Sequence, residues 1–309
     1  MIPAFNGGSL LEGTLRSCLA AGLDPAKVAV VVCDNRSDDG SYERARALAG
    51  EGGGWLRVHR NETNLGRVGN WNRCVETAEA MGARFGTFLM VGDEWLPEGD
   101  PLAVAAAMAE AGASLALARY LLIDEAGKRL RVGRNFLRWE RRVVPARDFV
   151  RTTLREAAMC YGPLQANVYR LDGARRLRFD ESDPTHTDQR ATLAFLGDEP
   201  GPLLLWGRPF AGWKVHPGRF HMAMDVRKRL EDDLVMIRAL AADRGLTLDD
   251  RRLNVNLFLL TAREWAGRPN GWAKIGEAAR LFRASPGGLH AGLAATQVFR
   301  RLVLRRFIP

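Results

Sequence analysis

Carboxylate side chains follow two largely apolar runs of the chain. Asp34 follows residues 28–33, and the pair Asp93 and Glu94 follows residues 85–91. Such runs are typical of strands buried on both faces of a parallel sheet, and open α/β sheets bind ligands outside the carboxyl ends of their strands. There Asp34 can accept a hydrogen bond from a base or a ribose. Asp93 and Glu94 can bind a hard cation that bridges a diphosphate, although an acidic pair is also found in solvated loops.

Two further segments place polar groups at the start of predicted helices. In residues 2–6, Ile-Pro-Ala-Phe-Asn, a strand end turns into a helix N-terminus, whose free N–H groups suit an anion or the edge of a nucleobase. Further along, Asn64 and Gly66 suit a turn with unusual backbone angles. The helix that follows carries Arg67 and Arg73, so its start suits a phosphate. A plain loop and a capped amphipathic helix are the alternatives.

The elements that must position these residues alternate between strand and helix. Apolar residues at a period near 3.6 predict helices, and continuous β-branched runs predict buried strands. The resulting order, β-α-β-α-β, predicts an α/β fold with a mostly parallel sheet flanked by helices. Pro3 closes the first strand almost at once, so this strand is either a stub or begins upstream. The strands of this part are predicted at residues 28–33, 56–59 and 85–91, and the helices at 9–21, 41–49 and 68–81.

The pattern changes from α/β to helical near residue 220. We therefore predict an α/β domain over residues 1–220 and a helical C-terminal extension over residues 221–309. In the second half of the α/β domain, strands are predicted at 115–123, 203–206 and 211–215, a strand followed by a helix within 163–178, and a hairpin or loop after Glu125. In the extension, helices are predicted at 225–244, 253–265 and 272–283.

The positive net charge of the chain favours anionic binding partners. The 309 residues carry a formal net charge of +9, which favours nucleic acid, an anionic membrane surface or phosphate-bearing substrates. The aromatic fraction is only 8% and no nucleic-acid-binding motif occurs, so nucleic acid is not the expected partner. The apolar runs fall far short of the roughly 18 residues that a membrane span needs. The four cysteines form no C-x-x-C pair. We expect a cytoplasmic protein that touches a membrane at most peripherally.

These motifs resemble those of family 2 of the inverting nucleotide-sugar glycosyltransferases, whose fold is called GT-A. Residues 34–41 are similar to the family's aspartate followed by N-x-S-x-D-G-[ST], one residue off its tightest form. Residues 64–74 contain N-x-G and N-W-N-R-C, a marker of one bacterial branch that acts in surface-polysaccharide assembly. The resemblance covers the chain from residue 1 to about residue 220.

The resemblance implies a donor pocket and a metal site. Asp93 and Glu94 stand where the family's D-x-D carboxylates hold Mg²⁺ or Mn²⁺, and His216 is either a further metal or diphosphate ligand or a structural histidine. The chain departs from the family at Val91 and Gly92, where an aspartate is common, and at Glu94, which replaces an aspartate. The nucleotide-sugar-binding residues that the resemblance implies are Pro3, Phe5, Asn6, Asp34, Asn64, Gly66, Arg73 and Asp93.

The resemblance also implies an acidic catalytic base on the acceptor side. The family's Glu-Asp pair appears here as Thr187 and Asp188, so the aspartate is kept while the glutamate is replaced. An inverting transfer needs one carboxylate to take the proton of the acceptor hydroxyl as it attacks the anomeric carbon. We predict that Asp188 is this base, with Asp180 and Glu181 as the next candidates. Alternatively, Asp188 caps a helix predicted at residues 189–196.

The function that the resemblance implies is sugar transfer from a nucleotide sugar, by default a UDP-sugar, to a saccharide or lipid-linked acceptor. Residues 296–309 mix apolar side chains with four arginines, which suits a helix lying on an anionic membrane, here the inner face of the cell membrane. Packing of this helix on the catalytic domain is the alternative. For the whole chain, the alternatives are a nucleotide- or nucleic-acid-binding protein without transfer activity and an inactive member of the family.

Overall fold

The computed structural model describes residues 1–51, 54–132, 141–155, 163–182, 186–197, 201–214, 225–265, 270–289 and 294. Backbone contacts group the chain into two compact units. One is Met1–Asp148 with Cys160–Pro217, and the other is Phe149–Met159 with Gly218–Pro309. The predicted division at residue 220 into an α/β domain and a helical extension stays a prediction.

Strands and helices alternate along the first unit, which confirms the predicted α/β class. The strands are β1 (Ile2–Ala4), β2 (Val30–Asp34), β3 (Leu56–Arg60), β4 (Phe85–Thr87), β5 (Glu94–Trp95), β6 (Leu115–Ala118), β7 (Leu121–Ile123), β8 (Arg129–Val132), β9 (Arg141–Pro145), β10 (Asn167–Arg170), β11 (Pro202–Trp206) and β12 (Ala211–Lys214). The helices of the whole described chain are α1 (Gly8–Ala20), α2 (Ser41–Glu51), α3 (Gly66–Ala80), α4 (Pro101–Ala111), α5 (Ala146–Arg155), α6 (Thr187–Leu196), α7 (Val226–Ala242), α8 (Asp250–Trp265) and α9 (Gly271–Ala284).

The first sheet is parallel throughout and has the order β1-β2-β3. All five residues of β2 are buried, as its β-branched sequence predicts for a central parallel strand. The register places Ala4 opposite Asp34, and Asp34 opposite Arg60. The carboxyl ends of the three strands therefore meet at one edge, and the predicted β-α-β-α-β order is confirmed.

The second sheet has the order β4-β10-β6-β11-β9 and is mixed. β6 and β11 are parallel, whereas the other pairs are antiparallel. Two hydrogen bonds connect this sheet to the first: the Met1 ammonium donates to the Thr87 carbonyl (2.8 Å), and the Leu89 N–H donates to the Met1 carbonyl (2.9 Å). The parallel arrangement that the sequence predicts therefore describes the first sheet, while β10 and β9 bring antiparallel pairing to the second.

The third sheet places Glu94 beside β12. Its order is β5-β12-β7-β8, and β12 pairs antiparallel with β5 and parallel with β7. In the first of these pairs, Gly212 stands opposite Glu94. β8 returns antiparallel along β7, which forms a hairpin after Glu125, one of the two predicted alternatives.

Two predicted strands are shorter in the structure. The strand predicted at residues 115–123 is divided into β6 and β7, which belong to different sheets. The backbone N–H of Arg119 still donates to Trp206 of β11 (3.1 Å), and the chain then leaves the second sheet. The strand predicted at 85–91 ends at Thr87. An apolar run predicts burial, but it does not show where a chain passes from one sheet to the next.

The helix predicted within residues 163–178 is wrong. Leu164–Ala166 forms a single 3-10 turn, β10 follows, and residues 171–182, all of which are described, have irregular backbone. The N–H groups of Arg170 and Leu171 donate to carbonyls of other segments at 2.8 Å, and these are not the carbonyls that a helix would use.

Apolar packing joins the helices to the sheets in one core. Leu11 and Leu15 of α1, Val32 of β2 and Met108 of α4 are almost completely buried and belong to one core cluster. Burying a side chain of this size stabilises the fold by about 1.5–3 kcal/mol. This core therefore sets where the helix N-termini lie along the carboxyl edge of the sheet.

In the second unit, polar contacts join the C-terminal helices. Arg238 of α7 pairs with Asp250 of α8 (2.8 Å), and the Asn254 side chain donates to the Pro286 carbonyl, just after α9 (2.9 Å). The predicted C-terminal helices are therefore present. Across the described ranges, the helices are too short or too polar to cross a membrane. Residues 296–309, the predicted membrane-binding segment, lie outside the described residues.

Candidate functional site

A buried carboxylate lies at the carboxyl edge of the first sheet. Asp34 is 1% exposed; its Oδ2 accepts a hydrogen bond from the Ser37 N–H (3.2 Å) and lies 3.4 Å from Arg60 Nε. The Arg60 guanidinium also lies over the Tyr42 ring, 4.6 Å from its centroid. Asp34 Oδ1 has no hydrogen-bond partner among the described residues. Because an unsatisfied buried acceptor is costly, this oxygen suits an N–H or O–H group of a ligand.

The loop after β1 is bound to the loop after β2. The N–H groups of Gly7 and Gly8 both donate to the Ser41 hydroxyl (2.9 Å each), and Asn6 Oδ1 accepts from the Asp38 N–H (3.1 Å). The expectation that the start of α1 offers free N–H groups to an anion is therefore wrong for these two glycines. Asn6 instead holds the two loops together.

The predicted neighbours of the nucleobase share one edge of the sheet. Pro3 pairs with Cys33, and Ala4 pairs with Asp34. Phe5 follows directly, and its side chain is 52% exposed. An exposed aromatic ring at a ligand-binding edge can stack on a planar base.

Four asparagines connect the loops of the donor side, by which we mean the loops after β1, β2 and β3. Asn35 Nδ2 donates to Asn64 Oδ1 (2.7 Å) and to the Gly66 carbonyl (3.0 Å). Asn61 Nδ2 donates to Asn35 Oδ1 (3.0 Å) and to Asn70 Oδ1 (2.9 Å), and Asn70 donates to the backbone of β2 (3.0 Å). Sequence reasoning assigned no role to three of these amides. Of these three, only Asn70, between Gly69 and Trp71, has uncharged neighbours along the chain; Asn35 and Asn61 each stand between two charged residues, so the sequence carried no signal for them.

The turn that precedes α3 forms as predicted. Gly66 has φ 72°, a region that glycine adopts readily, and its N–H donates to Asn64 Oδ1 (2.8 Å). These contacts shape the loop, and the predicted binding of a nucleotide sugar by Asn64 and Gly66 stays a prediction.

The two arginines of α3 have different partners. Arg73 lies 3.7 Å from the exposed Glu76, and its predicted place in the donor pocket stays a prediction. Arg67 lies 4.9 Å from the centroid of the Trp71 ring, and its positive charge favours the ionised form of Asp188. The structure therefore brings Arg67 close to the predicted base.

The acidic pair after β4 contacts two other segments. Asp93 is fully buried; its Oδ2 accepts from Gln165 Nε2 (2.8 Å) and its Oδ1 from the Lys214 N–H (2.9 Å). Glu94 binds the Lys214 ammonium (2.8 Å). Both carboxylates are therefore held by protein groups.

A divalent cation fits this pair in part. An ionised carboxylate has about four lone-pair sites, so the hydrogen bonds from Gln165 and Lys214 do not by themselves exclude a cation at Asp93. At Glu94, a cation competes with the Lys214 ammonium. Within the described ranges, no group of three or more His, Cys, Asp or Glu side chains is placed to hold a metal ion. His216, the third predicted ligand, lies outside the described residues.

The predicted base lies in the first turn of α6. Asp188 is half-buried, and its Oδ1 accepts from the Gln189 N–H (2.9 Å). Burial raises the pKa of its carboxyl; the Gln189 hydrogen bond and the charges of Arg67 and His186 act in the opposite direction. A raised pKa strengthens a general base. The alternative that Asp188 caps the helix is wrong, because α6 begins at Thr187 with His186 at its N-cap.

The two other candidates for the base are exposed. Asp180 accepts hydrogen bonds from the Ser182 hydroxyl (2.7 Å) and N–H (2.9 Å), which lower its pKa. Glu181 accepts a long hydrogen bond from Asn72 (3.4 Å). A lowered pKa makes Asp180 a weaker base than Asp188.

A buried tyrosine attaches α6 to β10. The Tyr169 hydroxyl lies 2.8 Å from Thr192 Oγ1 and accepts from Asn167 Nδ2 (3.2 Å). Burial raises the pKa of Tyr169 to about 12, so the hydroxyl stays protonated at neutral pH. This contact fixes the side of α6 that faces the second sheet.

A separate cavity of about 710 Å³ lies at the amino ends of β2 and β4, and its lining includes Val30, Met81 and Phe85. Asp34 lies at the opposite end of β2. The cavity is therefore not part of the candidate site.

The parallel sheet, with polar groups collected at its carboxyl edge, defines an α/β protein with a nucleotide-type binding edge. Residues 1–169 match the family described as Glycosyl transferase family 2. Because the match covers more than half of the 309 residues, the chain belongs to this family and is a glycosyltransferase. The predicted family is confirmed.

Solved structures confirm the GT-A fold. Residues 1–349 of S. aureus TarS, in complex with UDP-GlcNAc, are similar at 16% identity with a TM-score of 0.60, over 97% of this chain and 86% of that chain. The mannosyltransferase PcManGT from Pyrobaculum calidifontis, in complex with GDP-Man and Mn²⁺, is similar at 18% identity with a TM-score of 0.53, over 99% of this chain and 81% of that chain. GalNAc-T7 with UDP, GalNAc and Mn²⁺ is similar at 11% identity with a TM-score of 0.50, over 99% of this chain and 56% of that chain. No curated protein sequence matches the chain.

Proposed function

We propose that this glycosyltransferase moves a sugar from a nucleotide-sugar donor, by default a UDP-sugar, to a saccharide or lipid-linked acceptor with inversion, in surface-polysaccharide assembly. The observation that carries the proposal is Asp34 Oδ1, a buried acceptor without a partner among the described residues. UDP-GlcNAc and GDP-Man in the structures of TarS and PcManGT support a nucleotide-sugar donor.

On the donor side, each group has a role that suits its chemistry. Phe5 stacks on the base, and Asp34 accepts a hydrogen bond from the base or the ribose. The positive charge of Arg73 and the N-terminus of α3 face the diphosphate. The proposed donor-binding residues are Pro3, Phe5, Asn6, Asp34, Asn64, Gly66, Arg73 and Asp93.

On the acceptor side, Asp188 is the proposed general base. Its carboxylate takes the proton of the acceptor hydroxyl. The acceptor oxygen bonds to the anomeric carbon as the bond from that carbon to the diphosphate oxygen breaks, and the nucleoside diphosphate leaves. The raised pKa of Asp188 favours this proton transfer, and the Arg67 charge offsets part of the rise that burial causes.

We also propose Mg²⁺ or Mn²⁺ as the cofactor, with Asp93 as its principal ligand. Glu94 would be a second ligand once the Lys214 ammonium releases it, and His216 would be a third. Mn²⁺ in the structures of PcManGT and GalNAc-T7 supports this proposal. When bound, the ion would neutralise the diphosphate as it leaves.

The experiment has two stages. Thermal shift with UDP, GDP, dTDP and CDP, each with and without Mn²⁺, identifies the nucleotide; sugar release from the matching nucleotide sugars then tests donor use. We expect one nucleotide to raise the melting temperature and its sugar conjugate to be hydrolysed slowly. If none of the four nucleotides stabilises the protein, the donor proposal is wrong.

The second candidate is a nucleotide-binding member of the family without transfer activity. The ion pair between Glu94 and Lys214 favours it, because an ammonium there competes with a catalytic cation. This candidate predicts that a nucleotide raises the melting temperature while no nucleotide sugar is hydrolysed or transferred.

We propose a cytoplasmic location, with peripheral binding to the inner face of the cell membrane through residues 296–309. Each of the four arginines in this segment contributes about 1 kcal/mol near an anionic surface. Co-sedimentation with anionic liposomes at low salt, with and without residues 298–309, tests this. Full-length protein that stays in the supernatant would contradict it.

A further inference from the structure

The irregular segment between β10 and α6 is held by side chains of α3. Asn72 Oδ1 accepts a hydrogen bond from the Phe179 N–H (2.8 Å), and Asn72 Nδ2 donates to the Phe179 carbonyl (2.9 Å). A single side-chain amide therefore satisfies both backbone groups of one residue, as a neighbouring strand does in a sheet.

Ring packing fixes the same residue. The Phe179 side chain is 3% exposed and packs edge-on against Trp71 (5.3 Å between centroids) and Phe88 (5.5 Å). Trp71 and Asn72 are consecutive residues of α3. The helix therefore holds Phe179 by its backbone and by its ring at once.

A second contact between α3 and this segment is weaker. Glu79 pairs with Arg176 (3.3 Å) and Arg178 (3.1 Å); the Glu79 side chain is 12% exposed, while the arginine side chains, at 63% and 43%, reach solvent. Exposed ion pairs stabilise proteins by about 0–1 kcal/mol and are screened by salt. Glu79 therefore offers a matched comparison: it lies on the same helix, contacts the same segment and leaves Phe179 untouched.

The segment that contains Phe179 is hydrogen-bonded to the start of α6. Next to Phe179, the Asp180 carbonyl accepts a hydrogen bond from the Thr187 hydroxyl (3.0 Å), and Thr187 directly precedes Asp188. From the other side, Arg67 of α3 acts on the Asp188 carboxylate by its charge. One helix therefore sets both the place and the charge environment of Asp188.

We propose that Asn72 is a positioning residue for Asp188, acting through Phe179, Asp180 and Thr187. The proposal rests on the role of Asp188 as base in the proposed function. Removing the Asn72 amide frees both backbone groups of Phe179 and loosens the start of α6. The donor-side loops, which the other asparagines hold, keep their contacts.

The first test measures structure alone. Asn72→Ala and Glu79→Ala are compared with the unaltered chain by hydrogen–deuterium exchange of peptides that cover residues 177–182 and 186–196. We expect faster exchange in both peptides for Asn72→Ala and little change for Glu79→Ala. Unchanged exchange in Asn72→Ala overturns the proposal, whatever the activity of the protein.

The second test measures catalysis. Since a displacement of about 1 Å can lower a rate about 100-fold, we expect Asn72→Ala to lower kcat about 10- to 100-fold with an unchanged KM for the donor. The acid limb of its pH–rate profile should also move, because the surroundings of Asp188 change. Equal loss of kcat in Asn72→Ala and Glu79→Ala, or an unmoved pH profile, would indicate a merely structural role and overturn the proposal.

The two tests separate failure of this proposal from failure of the proposed function. If the unaltered chain transfers and hydrolyses no sugar, the proposed function fails, and the exchange experiment still decides whether Asn72 positions α6. If the unaltered chain is active and Asn72→Ala exchanges faster but keeps its kcat, Asn72 holds the segment without positioning the base, and the proposal is wrong.

Discussion

The donor side and the base side of the site, the latter being α6 with the segment before it, are built in different ways. On the donor side, consecutive loops bind one another directly, and the side chain of Asn35 alone takes part in hydrogen bonds to four residues: Asn61, Asn64, Leu65 and Gly66. On the base side, α6 is held by the contact between Tyr169 and Thr192 and by an irregular segment whose own support comes from α3.

This difference predicts how the two sides respond to change. A buried and satisfied polar network rigidifies its surroundings, and removing one member leaves several partners unsatisfied. Variants on the donor side should therefore lower stability and nucleotide affinity together. Variants on the base side should lower turnover while leaving nucleotide binding in place.

The largest expected effect is on turnover, from Asp188→Asn. Loss of a general base lowers a rate by about 10² to 10⁴, and the amide keeps the shape of the side chain. Sugar transfer should fall by this amount while the thermal shift caused by the nucleotide remains. Near-normal turnover would move the role of base to Asp180 or Glu181.

The next largest effect is on stability, from Asn35→Ala. Each buried polar group left without a partner costs about 1–3 kcal/mol, so we expect the free energy of unfolding to fall by about 3 kcal/mol. Urea denaturation measures this, with the exposed Glu62→Ala in the same region as the control. A loss no greater than that of the control would mean that the donor-side loops do not depend on the amide network.

Much of the first sheet could be predicted from the sequence, because its signals are local. The continuous β-branched run of β2 is typical of a strand buried on both faces, and Gly66 marks a turn with positive φ. The segment 171–182 could not be predicted in the same way. Its conformation depends on Asn72 and Glu79, which lie about a hundred residues away along the chain.

For the candidate site, the charged residues and Asn64 could be found from the sequence, whereas the other three amides, Asn35, Asn61 and Asn70, could not. Asp34 follows a buried strand, a position that by itself points to the ligand-binding edge. Asn61 and Asn70 matter because three loops meet, and the sequence does not show which loops meet. The link between Arg67 and Asp188 was missed for the same reason, since it joins α3 to α6.

A third variant, Asp34→Asn, tests the donor side without disturbing the amide network. A hydrogen bond to a charged group contributes about 1.5–3 kcal/mol, so removing the charge should weaken nucleotide binding about tenfold or more. Titration calorimetry with the stabilising nucleotide measures this. Asp38→Asn is the matched control, because Asp38 is an exposed aspartate in the same loop. Equal affinities in the two variants would remove Asp34 from the nucleotide site.

A fourth prediction concerns the stability of the base side as a function of pH. Burial raises the pKa of Asp188 in the folded protein, so folding opposes its ionisation. The resulting destabilisation is present above the folded pKa and disappears as the pH falls below the unfolded pKa. Asp188→Asn should therefore unfold less readily than the unaltered chain at neutral pH, and this advantage should shrink in acid. If the difference in stability between Asp188→Asn and the unaltered chain does not change with pH, burial does not raise the pKa of the Asp188 carboxyl.

The smallest expected effect concerns the acidic pair Asp93 and Glu94 at the proposed metal site. Glu94 and Lys214 are both partly exposed, with side chains at 33% and 17%, so their ion pair is screened by water. Such a pair contributes about 1 kcal/mol at most. Lys214→Met should therefore bind Mn²⁺ up to about fivefold more tightly in the presence of the nucleotide, because the ammonium no longer competes for Glu94. Lys214→Arg keeps the charge and is the control, and the Mn²⁺ dependence of the melting temperature is the measurement. If the two variants respond to Mn²⁺ alike, Glu94 is not a metal ligand, and any bound ion depends on Asp93 without it.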